Sequence, residues 1–259
     1  MRIVFIGAGN LATNLAVALK NSGHEIVQVY SRTIESAKLL ASAVGSEATC
    51  NIDSLASDAD AYIIAVKDSV ISEVISKVCP LSPNAVFMHT SGSTPVDVFS
   101  GHATHYGVLY PLQTFSRERI VDFQHIPCFL EFNDDFSRSV ITQLAESVSD
   151  KVMNLSSEDR RHIHLSAVFA CNFVNHCYAL GADVLKKKGI SFDALLPLID
   201  ETARKVHHLS PKEAQTGPAI RFDENIINRH KAMLEEGSIP QEIYDLMSKS
   251  IHLKAQDND

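Results

Sequence analysis

The sequence predicts an α/β protein: a doubly wound, mostly parallel sheet followed by an all-helical C-terminal domain. Three observations carry this. Short apolar runs of strand character alternate with helical spacings through the first part of the chain. A glycine turn, Gly7-Ala8-Gly9, joins the first strand to the first helix. Beyond residue 155 only helical patterns remain.

The elements follow in order. Residues 2–6 make a short apolar strand, and 10–21 a helix that stops near Gly23. Residues 25–30 are a second strand, and 33–44 a helix ended by Gly45. Strands are expected at 61–66 and 85–89, with a helix at 69–78 between them. Then come strands at 107–109 and 128–132, a helix at 135–147 and a short strand at 152–154. Ser156 and Ser157 are good caps, and Glu158 and Asp159 suit a first turn. The helix they start runs to Lys186-Lys187-Lys188 and stops at Gly189. Lysines there complement the helix C-terminus. Further helices fit 192–207, 218–235 and 240–253, so the domains divide as 1–154 and 155–259.

The composition narrows the function classes. Of 259 residues, 45% are hydrophobic and 21% charged, the balance of a globular protein. A net charge of -8 opposes a polyanion, so no nucleic-acid partner is expected. No apolar run reaches bilayer length, so no membrane partner is expected either. Met1 leads directly into a strand, without the basic leader and apolar core of a signal peptide. The cysteines, Cys50, Cys79, Cys128, Cys171 and Cys177, are odd in number and form no C-x-x-C pair. Reduced thiols in a cytoplasmic protein are expected. No carboxylate or cysteine cluster supports the histidine pairs His102/His105 or His162/His164, and no metal is expected.

Strand, tight glycine turn and helix form the Rossmann fingerprint of a dinucleotide site. Gly7 permits the turn, and Gly9 lets the backbone approach a diphosphate. That diphosphate meets the free N–H groups of the helix opening at Asn10 and Leu11. Ala12 stands where a third glycine is common, and still allows close helix–strand packing. At the tip of the second strand an NAD site usually presents a carboxylate. Here Ser31, Arg32 and Thr33 stand there instead. A guanidinium pairs with a 2'-phosphate that a carboxylate would repel, so the predicted cofactor is NADP.

In a doubly wound sheet, ligands lie beyond the carboxyl ends of the strands. Ala65, Val66 and Lys67 should therefore border the cofactor. Ser91 and Ser93, in "HTSGS", can hydrogen-bond a small substrate, although Ser-Gly also serves ordinary turns. Gln113 and Thr114 of "YPLQTFS" are further cleft donors. The first long helix of the C-terminal part is apolar almost all round, which predicts a buried element. Its polar stripe holds His164, Cys171, Asn172 and Asn175, with Asn175 near His164 in angle at about 100° per residue. Such a stripe either forms a satisfied core network or lines a wet cleft. Histidine, with an ordinary pKa of about 6.5, suits proton donation beside hydride transfer. Pro218 is expected near the start of a helix that carries Arg221, a clamp for a substrate carboxylate or a solvated charge.

The stretches "GAGNLA", "SRT", "HTSGS", "YPLQTFS", the His164…Asn172 helix and "GPAIRFD" through His230 together carry a family likeness. The chain resembles Rossmann-like proteins with a C-terminal helical domain of unknown function, distant relatives of pyrroline-carboxylate reductase. The resemblance implies an NADP-dependent oxidoreductase whose helical domain pairs two subunits. Related 3-hydroxyacid dehydrogenases carry a lysine four residues before the helix asparagine. Here Val168 holds that place, and His164 is the nearest substitute. The expected activity is hydride transfer between NADP(H) and a small C=O or C=N substrate, with His164, Asn172 and Ser91 catalytic. Ser93 and Arg221 would bind substrate. The alternative is a non-catalytic NADP-binding sensor or scaffold.

Overall fold

The computed structural model describes residues 1–257. Strands β1 (Arg2–Ile6), β2 (Glu25–Tyr30), β3 (Glu47–Thr49), β4 (Ala61–Ile64), β5 (Val86–His89), β6 (His105–Pro111), β7 (Cys128–Phe132) and β8 (Val152–Asn154) form one eight-stranded sheet. Its order is β3-β2-β1-β4-β5-β6-β7-β8, parallel throughout except for the antiparallel β6–β7 pair. Helices α1 (Asn10–Asn21), α2 (Ile34–Val44), α3 (Ile71–Val78) and α4 (Asp135–Glu146) make the crossovers. The order reverses between β1 and β4, and a crevice opens at such a switch point.

Side-chain alternation along β1 sorts the core into two layers. Ile3 and Phe5 pack with Leu15, Leu19, Leu40 and Ile141. Val4 and Ile6 pack on the other face with Tyr62, Ile71, Ile75 and Phe87. Burial on both faces explains why these strands read as continuous apolar runs.

The expected doubly wound sheet is present, with differences in detail. Strand β3 was not expected, because three residues with one apolar side chain leave no period to detect. Strand β6 extends to both sides of the expected 107–109: His105 and Tyr106 continue the ladder with β5, and Tyr110 and Pro111 pair with β7.

The chain divides into two compact units, Met1–Asn172 and Phe173–Asp259. The division falls later than the change of pattern at Asn154. Helix α5 (Ser157–Ala167) belongs with the sheet because its Arg160 is buried against it, at 1% exposure. The Arg160 guanidinium pairs with Glu131 on β7 and donates to the Thr94 carbonyl at 2.6 Å. Glu131 also accepts from the Ser157 N–H at 3.0 Å and the Ser157 hydroxyl at 2.7 Å. A π-helical stretch, Val168–Phe173, follows α5.

The second unit consists of α6 (Val174–Lys186), α7 (Leu196–Lys205), α8 (Pro211–Ala214), α9 (Glu224–Lys231) and α10 (Ile239–Gln256). No helix begins at Pro218. Phe222 adopts φ 49°, a left-handed conformation that breaks the helical path. The Asp223 carboxylate then accepts from the Ile226 N–H at 3.3 Å and starts α9. Among the described residues of this unit, only Ala219, Ile227 and Ser248 are buried.

Removing Glu131 strands the Arg160 charge in the interior. Glu131→Ala should destabilise the fold by about 3 kcal/mol in urea unfolding, whereas Glu131→Met combined with Arg160→Met should recover most of that loss.

Candidate functional site

The tips of β1, β2 and β4 are held together by backbone bonds. The Gly7 N–H donates to the Tyr30 carbonyl at 2.8 Å, and the Ala65 N–H to the Ile6 carbonyl at 2.8 Å. Gly7 has φ +113°, and a side chain there would run into the Ala65 carbonyl. Only glycine satisfies both demands. Gly9 is the opposite case: the space where its side chain would stand is open. It precedes α1, whose amino end carries no side-chain cap. First-turn N–H groups therefore have no side-chain acceptor, the arrangement that accepts an anion.

At the β2 tip, Arg32 is exposed and makes no ion pair among the described residues. The Thr33 hydroxyl donates to Ser36 Oγ at 2.9 Å, at the start of α2. The Ser31 N–H donates to the Thr49 carbonyl at 3.1 Å, which fixes the course of the tip. A bare Gly9, an uncapped helix end and a cation lacking an anion fit a phosphorylated dinucleotide.

A cleft of about 820 Å³ opens beyond these tips. Of the residues expected at the site, it is lined by Gly9, Asn10, Leu11, Ala65, Val66, Lys67, Ser91, His164 and Asn172. Gln113 and Thr114 also border it. Gly7 sits beneath the turn, while Ser31, Arg32 and Thr33 lie outside the lining at the neighbouring strand tip. Ser93 is not in the wall; its hydroxyl donates to the Asp68 carboxylate, which is. Arg221 belongs to the second unit, exposed in the turn before α9.

Ser91 combines turn and cleft roles. Its Oγ accepts the Ser93 N–H at 3.2 Å and the Thr94 N–H at 3.0 Å, which folds the β5 tip. His89 supports the same tip from below, wholly buried and stacked on Phe99 at 5.7 Å. Its Nδ1 accepts the Ser91 N–H at 3.1 Å, and Nε2 faces the Pro95 carbonyl at 3.4 Å. That pattern requires the neutral imidazole with hydrogen on Nε2. Burial, with Arg160 nearby, pushes the His89 pKa down to about 4.

Tyr110, on β6, was not singled out in the sequence. Its hydroxyl lies 3.0 Å from His164 Nδ1, and burial raises the phenol pKa. Gly92 makes the contact possible: a side chain there would stand 2.7 Å from His164 Nδ1 and 2.8 Å from Tyr110 Cζ. The available signal was a hydroxyl-bearing residue closing an apolar strand, just before Pro111.

The π-helical stretch changes the polar stripe. Its wider turn keeps Ala170, Cys171 and Asn172 on the cleft side with His164. The helix is also not buried as expected, for Leu165 is 56% and Asn172 is exposed in the single chain.

Residues 2–88 match the family described as NADP oxidoreductase coenzyme F420-dependent. Residues 126–251 match a domain of unknown function, DUF2520. No curated protein matches the chain. Among solved structures, one from Bacteroides fragilis, described as a "putative NADP oxidoreductase", is 50% identical with a TM-score of 0.95. That match covers 97% of this chain and 98% of the other. Protein TM1727 from Thermotoga maritima is 23% identical over 98% and 99% of the two chains, with a TM-score of 0.80. An imine reductase from Myxococcus stipitatus, solved with NADP+, is 13% identical over 98% and 93%, with a TM-score of 0.69. The last two show a shared fold.

The neutrality of His89 has a pH signature. Its pKa falls from 6.5 when unfolded to about 4 when folded, so the unfolded chain takes up the proton first. The stability it contributes is complete above pH 6.5 and is lost as pH falls through about 4. His89→Gln should flatten the pH dependence of the urea midpoint within that window relative to the native chain.

Proposed function

We infer that this chain, which belongs to the NADP oxidoreductase family just described, transfers hydride between NADP(H) and a small C=O or C=N compound. The observation that carries this is the cleft at the β1–β4 switch point. It gathers the glycine turn, the tip Ala65–Lys67, the Ser91 turn and the His164–Asn172 stripe around one space. NADPH, when bound, supplies the hydride. The Asn10 and Leu11 amides hold its diphosphate, and Arg32 with Ser31 and Thr33 binds the 2'-phosphate. Ala65, Val66 and Lys67 border the remainder.

The proton comes from the chain. His164 sits in the cleft wall with Nδ1 engaged by Tyr110. As the imidazolium, His164 donates from Nδ1–H to the Tyr110 oxygen, gives its Nε2 proton to substrate and is left neutral. Asn172 and the Ser91 hydroxyl orient the substrate, and Ser93 holds the Asp68 carboxylate in place. A non-catalytic sensor would have His164 and Asn172 packed away, yet both face the cleft. We place the dinucleotide role in residues 1–154 and subunit pairing and substrate contacts in 155–259.

Pairing of two copies is supported by the second unit itself. Leu198 is 63% exposed, Met233 66%, Leu246 69% and Leu253 63%, beside two buried apolar side chains. Helices that hide so little apolar surface gain little from folding alone. In this reading the homodimer covers these faces, and Arg221 reaches substrate from the partner copy. Buried Cys79 and Cys128, with thiols pushed up to about 12 and about 11, are free, which fits a reducing cytoplasm. Among the described residues no helix is long and apolar enough to cross a membrane.

Fluorescence titration should show NADPH binding more tightly than NADH. Arg32→Ala should weaken NADPH by about tenfold or more and leave NADH unchanged. Tighter binding of NADH by the native chain would overturn the Arg32 assignment. Against a panel of oxo acids and cyclic imines, His164→Ala should lower turnover by about 100-fold or more. Turnover at the native level in both His164→Ala and Asn172→Ala would remove the catalytic stripe. Sedimentation should give the mass of two chains, and Leu198→Asp or Leu246→Asp should shift it toward one.

A further inference from the structure

The connection from β6 to β7 passes over the amino end of α1, and two asparagines of that helix fasten it. Asn10 Nδ2 donates to the Phe115 carbonyl at 3.0 Å. Asn14, wholly buried, donates from Nδ2 to the Ser116 carbonyl at 2.8 Å and accepts the Val121 N–H at 2.9 Å. Phe115 stacks on Phe123 with ring centroids 5.6 Å apart. A buried asparagine satisfied in this way fixes the path of the strap.

The fastening delivers Arg117 to the glycine turn. Its guanidinium donates to the carbonyl of Ala8, the residue between Gly7 and Gly9. Arg117 is exposed, and no carboxylate pairs with it among the described residues. Holding one carbonyl requires one neutral donor, which an amide side chain supplies. A guanidinium brings in addition a permanent charge and further N–H donors in a planar fork. Ala8, which anchors the guanidinium, directly precedes Gly9, whose side-chain space is open, and the uncapped end of α1.

We propose that Arg117 is a ligand of the coenzyme diphosphate, using its fork to grip phosphate oxygens while Ala8 holds the guanidinium in place. The assignment rests on the NADP(H) reading above. It divides the two arginines by chemistry. Arg32 answers the 2'-phosphate that NADPH alone carries, and Arg117 answers the diphosphate that NADPH and NADH share.

The test is a fluorescence titration of the native chain, Arg117→Ala and Arg117→Gln with NADPH and with NADH, with competition by 2'-AMP and by 2'-phospho-ADP-ribose. Gln keeps a donor for Ala8 and removes the charge. Both variants should bind NADPH and NADH about tenfold or more weakly, with the preference between them unchanged. Affinity for 2'-phospho-ADP-ribose should fall likewise, and affinity for 2'-AMP, which lacks the diphosphate, should hold. Native binding by Arg117→Gln would make Arg117 a latch and overturn the proposal. So would an equal loss for 2'-AMP, which reports a disturbed pocket, or a changed coenzyme preference. If the native chain binds neither coenzyme, the NADP(H) reading fails first and takes this assignment with it.

Discussion

The close approach of β1 to β4 at Gly7 is the constraint on which the site depends. At φ +113° the chain turns sharply, and the Ala65 carbonyl occupies the place of a side chain. The same residue donates to Tyr30, so three strand tips share one fixed geometry. The amino end of α1 is then aimed from a rigid base, with no side chain needed to cap it. The two glycines divide the work. One is bare because protein presses on it, the other because space must be left above it. A loop with both properties makes an anion seat from backbone alone.

Much of this was legible because it is local. The glycine turn, the absent acid beside Arg32 and the alternation of strand and helix each lie within a few adjacent residues. What escaped notice depends on distance or on irregular backbone. Tyr110 and His164 stand 54 residues apart and meet only because Gly92 lets β6 and α5 converge at the β5 tip. The π-helical stretch winds more widely than an α-helix, so a stripe projected at one constant angle does not carry through it. Near Pro218, a left-handed Phe222 overrode a sequence that reads as continuous helix. In each case tertiary packing or one strained dihedral outweighed local preference.

The two units illustrate different relations between sequence and burial. Around the sheet, apolar residues disappear completely: Ile3, Phe5, Leu15 and Ile63 have no exposed surface. In α7, α9 and α10 apolar spacing is just as regular, yet most of those side chains remain in contact with solvent. Periodicity reports which face of a helix is apolar, not what covers it. The first long helix, apolar almost all round, is expected to be buried, and in one chain it is not. The proposed pairing with a second copy of the chain would supply that cover.

Charge distribution bears on how an acidic protein holds an anionic coenzyme. The net charge of -8 opposes any anion at long range. Screening confines that opposition to roughly 8 Å at physiological salt, so the groups nearest the ligand decide. In the proposed reading the coenzyme phosphates meet Arg32, Lys67, Arg117 and the uncapped α1 end. The same cleft is lined by Asp68, held by Ser93, and by the Tyr110–His164 pair. On that reading these local cations and backbone amides, rather than the net charge, account for the grip on the coenzyme, while Asp68, tied to Ser93, is a carboxylate lining the same cleft.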